Sequence, residues 1–252
     1  MNESLGIWMV RKQSEALAIT LQTKFGGELF RPWLDEDNAQ IVQFSQVFHT
    51  HGQWIILAAS GIAVRFLNGL IQDKHSDPAV VVLDEAARYA IALLAGHEGG
   101  ANQLTYRVAN AVSAVPVITT ATEALKSLVI GIGCRKGVTK QQIETAIFQA
   151  LGQYSLEQVR EVATIDLKEE EPGLIEFCSQ YDLPLRVLSS TILADRSWVT
   201  QPSDWVRQNI GLNGVCEPCA LIACGRGKLL VPKMTLDGVA VAIVQDIDWA
   251  IK

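Results

Sequence analysis

Residues 79–112 have the sequence AVVVLDEAARYAIALLAGHEGGANQLTYRVANAV, and they carry the clearest evidence of fold class. Two apolar runs of strand length, Ala79 to Leu83 and Tyr89 to Leu94, are joined by a short polar turn, which predicts two adjacent strands. A glycine-rich turn follows, and residues Ala101 to Val112 have the pattern of an amphipathic helix. A strand that leads through a glycine turn into a helix is typical of α/β proteins.

The same alternation of apolar strands and helical patterns extends over the rest of the chain. It is interrupted once, by the polar string of small residues from Thr119 to Lys126. We therefore predict two domains, residues 1–122 and residues 127–252. Each is expected to be a three-layer α/β/α domain with glycine-rich turns between strand and helix.

The composition argues against several classes of function. The 252 residues carry a formal net charge of −6 and no long basic run, whereas a nucleic-acid binder needs a basic surface. No apolar run is long enough for a membrane span and no secretory signal is visible, so we expect a cytoplasmic protein. Of the five cysteines, Cys216 and Cys219 are interpreted as small buried thiols on an apolar helix, and no metal site is predicted.

Two glycine-rich strings are the most informative features of the sequence. The first is Gly96-His-Glu-Gly-Gly-Ala-Asn102, and the second is Gly131-Ile-Gly-Cys-Arg-Lys-Gly137, after a strand expected to end at Ile130. Glycine permits left-handed backbone and the close approach of a ligand, and free N–H groups at a helix start favour an anion. Tight turns also use glycine for geometry alone, but two such strings with basic side chains inside them favour ligand binding.

The second string is not a nucleotide-binding motif. Its glycines are spaced G-x-G-x-x-x-G, which differs from the dinucleotide fingerprint, and the Walker A spacing is absent. A nucleotide-dependent oxidoreductase is therefore disfavoured. Arg65 and Lys74, on and after an apolar helix, are explained from the sequence alone as charges at a solvated helix end.

Longer strings around these glycines resemble a known family. The first half carries Gly61-Ile-Ala-Val-Arg65, Asp77-Pro-Ala-Val80, the string from Ala92 to Asn102, and Val117-Ile-Thr-Thr-Ala-Thr-Glu123. In this order and spacing they resemble the amino-terminal domain of the CbiG proteins of cobalamin (vitamin B12) biosynthesis. The second half carries Gly131 to Gly137, Lys168 after a strand, Gly214-Val-Cys-Glu217 and a late Lys233. It resembles the carboxy-terminal domain that CbiG shares with the CobE proteins.

The chain departs from the family pattern in one major respect. Family members carry a middle segment between the threonine-rich string and the second glycine string. Here Glu123 and Gly131 are almost adjacent, so that segment is absent. In addition, Glu98 stands where the family usually has an apolar residue.

The resemblance implies a cobalt-precorrin-5A hydrolase. Such an enzyme opens the δ-lactone of cobalt-precorrin-5A and releases acetaldehyde, which gives cobalt-precorrin-5B. Cobalt arrives chelated in the substrate, so neither a cofactor nor a protein-bound metal is expected. The alternative is a non-catalytic protein that binds and carries the corrinoid intermediate and partners a precorrin methyltransferase. A homodimer is left open.

A corrinoid intermediate is a flat apolar macrocycle edged with carboxylates, so its site needs apolar walls and several anion-binding groups. We expect substrate contacts from Arg65, Lys74, Gly99, Gly100, Ala101, Thr119, Thr120, Gly131, Gly133, Cys134, Arg135, Lys136, Gly137 and Glu217. His97 is the expected general base because histidine changes its protonation near neutral pH, and Asn102 is the second catalytic candidate. The backbone N–H groups of Gly99, Gly100 and Ala101 are expected to form an oxyanion hole.

Overall fold

The computed structural model describes residues 4–73, 75–194 and 199–247. Lys74, one of the expected substrate contacts, lies outside the described residues. The chain divides into two compact units, Met1–Thr120 and Ala121–Lys252, and each is an α/β layer structure. No helix in the described part of the chain combines the length and the apolar character needed to cross a membrane.

The first unit is a mixed sheet with helices on both faces. Its strands are β1 (Leu5–Met9), β2 (Glu28–Phe30), β3 (Gln53–Leu57), β4 (Ala79–Leu83), β5 (Tyr89–Leu94) and β6 (Val115–Val117). Its helices are α1 (Glu15–Phe25), α2 (Gln40–Val47), α3 (Ser60–Leu67) and α4 (Ala101–Val112). The strand order is β2-β1-β3-β4-β5-β6. Strands β1 to β4 are parallel, β5 is antiparallel to β4, and β6 is parallel to β5.

Both faces of this sheet are apolar, because the central strands consist almost entirely of apolar residues and successive side chains point to opposite faces. On one face, Leu21 of α1 and Leu104 of α4 pack against the sheet. On the other face, Phe44 of α2 and Phe66 of α3 both pack against the buried Trp8. The predicted three-layer arrangement is confirmed for this unit.

The second unit is also a mixed sheet between helices. Its strands are β7 (Leu128–Cys134), β8 (Val159–Ile165), β9 (Leu185–Leu188), β10 (Lys228–Leu236) and β11 (Val239–Gln245). Its helices are α5 (Ala121–Ala124), α6 (Lys140–Leu151), α7 (Pro172–Gln180), α8 (Ser190–Ala194), α9 (Asp204–Ile210) and α10 (Cys216–Ala223). The strand order is β10-β11-β7-β8-β9, in which β7, β8 and β9 are parallel and β11 is antiparallel to both its neighbours.

Helices cover both faces of the second sheet as well, which confirms the three-layer prediction. Ile143 of α6 and Phe177 of α7 belong to the core on one face, and Ala220 of α10 belongs to the core on the other. Helix α6 begins with a capping box, in which Thr139 and Gln142 bond each other's backbone N–H groups. Such a cap satisfies donors that the first helical turn leaves unpaired.

The observed elements depart from the predicted ones at a few places. Strand β2 and helix α2 were not predicted, since β2 has three residues and α2 has no capping side chain. The predicted end of β7 at Ile130 is wrong. The strand continues to Cys134 because β11 forms an unbroken antiparallel ladder with it, which pairs Gly131 with Ala242 and Gly133 with Ala240.

Candidate functional site

The first glycine string forms the turn between β5 and α4. Because β5 runs antiparallel to β4, this turn lies at the sheet edge where β5 and β6 end and β4 begins. Ala95 and Gly100 both have left-handed backbone, with φ of 54° and 83°, which lets the chain turn sharply into the helix. The same edge holds Thr119 and Thr120, which directly follow β6.

Asn102, in the first turn of α4, connects the glycine turn to the segment after β6. Its Nδ2 donates to Thr120 Oγ1 at 3.2 Å, and its backbone N–H donates to the Gly96 carbonyl at 2.9 Å. Its Oδ1 is buried and has no hydrogen-bond partner among the described residues. A Cβ on Gly96 would lie 2.8 Å from this oxygen, so the glycine makes room for the amide.

His97 projects from the middle of this turn. Its side chain is exposed, and no hydrogen bond or ion pair joins it to another described residue. Thr119 is exposed at the same edge, whereas Thr120 is half-buried against Asn102. The imidazole is therefore accessible to a ligand, as a general base must be.

The turn does not present the expected oxyanion hole. The N–H groups of Gly99 and Ala101 both donate to the Ala95 carbonyl, at 3.1 and 3.2 Å. Two of the three expected donors therefore close the turn itself. In a tight turn with left-handed residues at both ends, the backbone N–H groups are taken up by hydrogen bonds within the turn. The pattern of glycines in the sequence does not reveal this.

Arg65 lies in the last turn of α3 and is exposed. From there the chain leads to the amino end of β4, which belongs to the same sheet edge as the Gly96 turn. The connection is held by the buried Asp77, whose carboxylate accepts the N–H groups of Gln72 and Asp73 at 3.0 to 3.1 Å. Topology thus places Arg65 at the edge where His97 lies.

The second glycine string has a different structure. Gly131 and Gly133 lie inside β7 and are buried. A Cβ on Gly131 would meet the Cys216 carbonyl oxygen at 1.8 Å, and one on Gly133 would meet Val215 at 3.1 Å. These glycines allow the start of α10 to lie directly on the sheet. Gly131 therefore has no surface to offer a ligand, and the turn predicted to begin there is wrong.

The turn proper begins after Cys134. Arg135 and Lys136 are exposed in it, and Gly137 takes left-handed backbone with φ of 79°. The Gly137 N–H donates to Glu171 Oε1 at 2.6 Å. Both cations of the string thus lie on a turn that is tied to the start of α7.

A pocket of about 380 Å³ opens beside the carboxyl end of β7. Its apolar lining includes Ile165, Leu167, Trp205, Val206, Ile210, Val215, Leu236 and Val239, and its charged lining residues are Arg135, Lys168, Lys233 and Asp237. Leu167 and Trp205 are each 61% exposed, so apolar surface continues outward from the pocket. Gly133 and Cys134 of the expected set also line it.

Lys168 is paired with Glu171 at one side of the pocket. Its Nζ lies 3.0 Å from Glu171 Oε2, and both side chains are largely buried. Burial by itself would raise the pKa of the Glu171 carboxyl. The hydrogen bonds from Lys168 and Gly137 and the charges of Lys168 and Lys136 outweigh it and hold that pKa below its ordinary value.

Cys134 contributes a neutral thiol to the pocket. Burial raises its pKa to about 11, against the lowering effect of Lys168 and with a further increase from Glu171. Since the thiolate is the nucleophilic form of cysteine, this residue contributes shape rather than a nucleophile at neutral pH.

Glu217 stands in the first turn of α10 and is only 1% exposed. Its carboxylate accepts the Thr200 N–H at 2.7 Å, the Thr200 hydroxyl, and the Lys233 N–H at 3.0 Å. The expected substrate contact from Glu217 therefore has its oxygens occupied by the protein. The structure gives this carboxylate a place beneath the pocket rather than in its lining.

Cys216 and Cys219 are buried in α10, and burial raises the pKa of the Cys216 thiol to about 12. The interpretation of this pair as buried helical thiols is confirmed. Across residues 4–73, 75–194 and 199–247, no three His, Cys, Asp or Glu side chains come together as they would around a metal ion.

Most of the lining residues are absent from the expected set, including two of the three cations and the exposed tryptophan. Lys168 and Lys233 were noted only as parts of the family resemblance, and Trp205 was not singled out. A basic residue soon after a buried strand is a usable signal for Lys168, because the carboxyl ends of parallel strands border ligand sites. No comparable signal marks Lys233 or Trp205.

Two family models match the chain almost contiguously. Cobalamin synthesis G N-terminal matches residues 42–123, and Cobalamin synthesis G C-terminus matches residues 128–244. The chain belongs to the cobalamin synthesis G (CbiG) family. The absence of a middle segment agrees with the few residues that separate the two matches.

Curated relatives of the chain include proteins named cobalt-precorrin-5A hydrolase. The one from Priestia megaterium is 26% identical, over 83% of this chain and 84% of the relative. The one from Salmonella typhimurium is 25% identical, over 94% of each, in an alignment of 334 positions. That alignment is longer than this chain, so the relative has residues that the CbiG protein described here lacks. Protein CobE of a Sinorhizobium species is 27% identical over 124 residues, which are 48% of this chain and 80% of CobE.

Proposed function

We propose that this CbiG protein is a cytoplasmic cobalt-precorrin-5A hydrolase, which opens the δ-lactone of its substrate and releases acetaldehyde to give cobalt-precorrin-5B. The observation that carries the proposal is the pocket of the second unit, where Arg135, Lys168 and Lys233 line apolar walls. Relatives over most of the chain bear the name of this enzyme. The cobalt belongs to the substrate, and no cofactor enters the proposal.

The pocket suits a corrinoid in shape and in charge. A tetrapyrrole-derived macrocycle is flat and apolar, with acetate and propionate carboxylates around its rim. A volume of about 380 Å³ accommodates one edge of such a ring, since even drug-sized ligands fill pockets of ~300–1,000 Å³. The exposed Leu167 and Trp205 offer apolar surface to the rest of the ring.

Charge supports the same assignment. The chain carries a formal net charge of −6, so its overall field repels a polycarboxylate. Among the described lining residues, Arg135, Lys168 and Lys233 outnumber the one acid, Asp237, and carboxylates bind cations through charge-assisted hydrogen bonds. We therefore assign recognition of the substrate's carboxylates to the second unit.

Opening of the lactone requires a water molecule that loses a proton as it attacks the lactone carbonyl. The acyl C–O bond then breaks, which leaves a carboxylic acid and a free hydroxyl group on the two-carbon fragment. Cleavage of the C–C bond to the macrocycle turns that carbinol into acetaldehyde, and the ring receives a proton in exchange. His97, exposed at its turn, is the side chain we assign as the base that accepts the proton from water. Asn102 is assigned to hold the turn in place.

The test is incubation of the purified protein with cobalt-precorrin-5A. Acetaldehyde is measured with an NADH-coupled alcohol dehydrogenase, and the corrinoid absorption spectrum is followed in the same sample. We expect one acetaldehyde for each substrate consumed. A spectral shift that shows binding, without acetaldehyde, would contradict the hydrolase assignment.

A second function is favoured by one observation. The chain lacks residues that its hydrolase relatives have, and part of it is similar to CobE. A non-catalytic carrier of the corrinoid intermediate, in contact with a precorrin methyltransferase, would use the same pocket. Such a carrier would bind cobalt-precorrin-5A tightly, release no acetaldehyde, and accelerate its delivery to the methyltransferase.

A further inference from the structure

Two of the three pocket cations are tied to buried glutamates. Lys168 donates to Glu171 Oε2 at 3.0 Å, and their side chains are 14% and 5% exposed. A lysine ammonium has three N–H donors. One is given to Glu171, so two remain for a ligand in the pocket that Lys168 lines.

Glu171 also fixes the turn that follows β7. Its second carboxylate oxygen accepts the Gly137 N–H at 2.6 Å, and Gly137 closes the turn that carries Arg135 and Lys136. One carboxylate therefore joins the lysine after β8 to the basic turn after β7. Both groups keep their places without help from a ligand.

Glu217 plays the corresponding part for Lys233. Its carboxylate accepts the Lys233 backbone N–H at 3.0 Å and the Thr200 N–H at 2.7 Å. The next residue, Gln201, offers its carbonyl oxygen to Lys233 Nζ at 3.2 Å. A single buried carboxylate thus holds both the backbone of this lysine and the segment that receives its ammonium group.

We propose that Glu171 and Glu217 are positioning residues, which hold Lys168 and Lys233 in the geometry that binds two carboxylates of the substrate. The inference rests on the proposed function, because it takes the anion to be the rim carboxylates of a corrinoid. A lysine side chain that is disordered before binding loses much rotamer freedom when it binds a ligand. A lysine that is already fixed avoids that loss, so binding is stronger and depends on the glutamate.

The test uses the full-length protein and two stable probes. Cobyrinic acid has free carboxylates, and cobinamide has amides in their place. Binding is followed by corrinoid absorption and by quenching of tryptophan fluorescence. Lys168→Met should lower the affinity for cobyrinic acid about 10- to 100-fold, as expected for the loss of a charge-assisted hydrogen bond. Cobinamide should be weakened less than about 2-fold.

Glu171→Gln isolates the positioning role, since glutamine keeps an oxygen for the Gly137 N–H but loses the charge that holds Lys168. It should weaken cobyrinic acid by about 3- to 10-fold with little change for cobinamide. Glu171→Gln should cause no further loss of affinity for cobyrinic acid when Lys168 is already methionine, because the glutamate affects binding only by positioning this lysine. Circular dichroism and thermal unfolding identify any variant that fails to fold. If Glu171→Gln fails to fold, Lys168→Met still tests the contact between Lys168 and Glu171, because it leaves the glutamate in place.

Two outcomes would overturn the inference. In one, Glu171→Gln weakens both probes equally or adds its full effect to Lys168→Met, which would show a general structural role. In the other, Lys168→Met leaves the preference for cobyrinic acid unchanged. The proposed function fails separately. Protein that binds cobyrinic acid with these lysine effects but releases no acetaldehyde would contradict the hydrolase and retain the positioning role.

Discussion

The Gly96 turn of the first unit and the pocket of the second unit offer a ligand opposite kinds of chemistry. The turn presents an exposed histidine, and topology brings Arg65 to the same edge. The pocket presents three cations on apolar walls, and its described lining residues include no histidine. The first arrangement can move a proton, and the second can hold carboxylates.

Glycine also has a different purpose in the two regions. At Gly96 and Gly100 it serves the turn, by making room for Asn102 and by taking left-handed backbone. At Gly131 it serves packing, because the backbone of α10 occupies the place of a side chain. A glycine-rich string is therefore not in itself a ligand loop. Which role it has depends on what covers it.

The largest effect we predict is on catalysis at the turn. His97→Ala should slow acetaldehyde release by about 10²- to 10⁴-fold, because it removes the group that we propose as the acceptor of a proton from water. The affinity for cobyrinic acid should change little, since we assign the binding of its carboxylates to the pocket. Steady-state acetaldehyde release and a binding titration together measure both quantities.

Asn102→Ala is the comparison for His97. Its amide bonds Thr120 but cannot act as a base near neutral pH, so the variant should lose stability and activity together. His97→Ala protein that retains near-normal turnover would remove the histidine from the mechanism. The distinction between a catalytic turn and a binding pocket would then no longer hold.

The second prediction concerns the packing glycine. Gly131→Ala would place a Cβ 1.8 Å from the Cys216 carbonyl oxygen, so α10 must move away from the sheet. We expect the free energy of unfolding to fall by about 1–3 kcal/mol, as for other overpacked cores. Denaturant unfolding measures this loss.

Gly225→Ala is the matched control in the same unit. This glycine is exposed, and a Cβ added to it would meet no atom within 4 Å, so the change should stay within about 0.5 kcal/mol. If Gly131→Ala proved equally harmless while abolishing corrinoid binding, the string would be a ligand loop after all.

The Gly96 turn and the pocket also differ in how well they can be predicted from the sequence. Apolar periodicity is local, and it predicts β4, β5 and α4 with their observed bounds. The end of β7 depends on β11 and α10, which lie far along the chain, so no local pattern around Gly131 reveals it. The pocket depends in the same way on Trp205 of α9 and Lys233 of β10. His97 could be found because its turn is built from consecutive residues.

A third and smaller effect is expected at the pocket rim. Trp205 is 61% exposed and lines the pocket, so its ring can stack on the face of a macrocycle. Trp205→Ala should weaken corrinoid binding by about 0.5–1.5 kcal/mol, or about 2- to 10-fold. Because stacking does not depend on carboxylates, cobyrinic acid and cobinamide should be weakened alike.

Trp205→Phe keeps an aromatic ring and should retain most of the affinity. Equal loss for both probes would distinguish the rim from the lysines, whose replacement affects cobyrinic acid alone. A loss of affinity for cobyrinic acid alone would mean that Trp205 helps to position the cations and does not stack on the macrocycle.

The smallest effect concerns pH and the Glu171 carboxylate, which is paired with Lys168 of the pocket. Burial opposes its ionisation, but Lys168, the Gly137 N–H and Lys136 hold its pKa below the ordinary value of 4.5. A carboxyl whose pKa is depressed on folding stabilises the folded state fully above the ordinary pKa. That contribution is lost as the pH falls through the lower, folded-state value.

The free energy of unfolding of the wild type should therefore exceed that of Glu171→Gln by a constant amount from neutral pH down to about 4.5. Below that pH the difference should shrink, since the variant has no carboxylate to protonate. Urea unfolding of both proteins across this range measures it, and a difference that grew toward acid would mean that folding raises the pKa of Glu171 instead of lowering it.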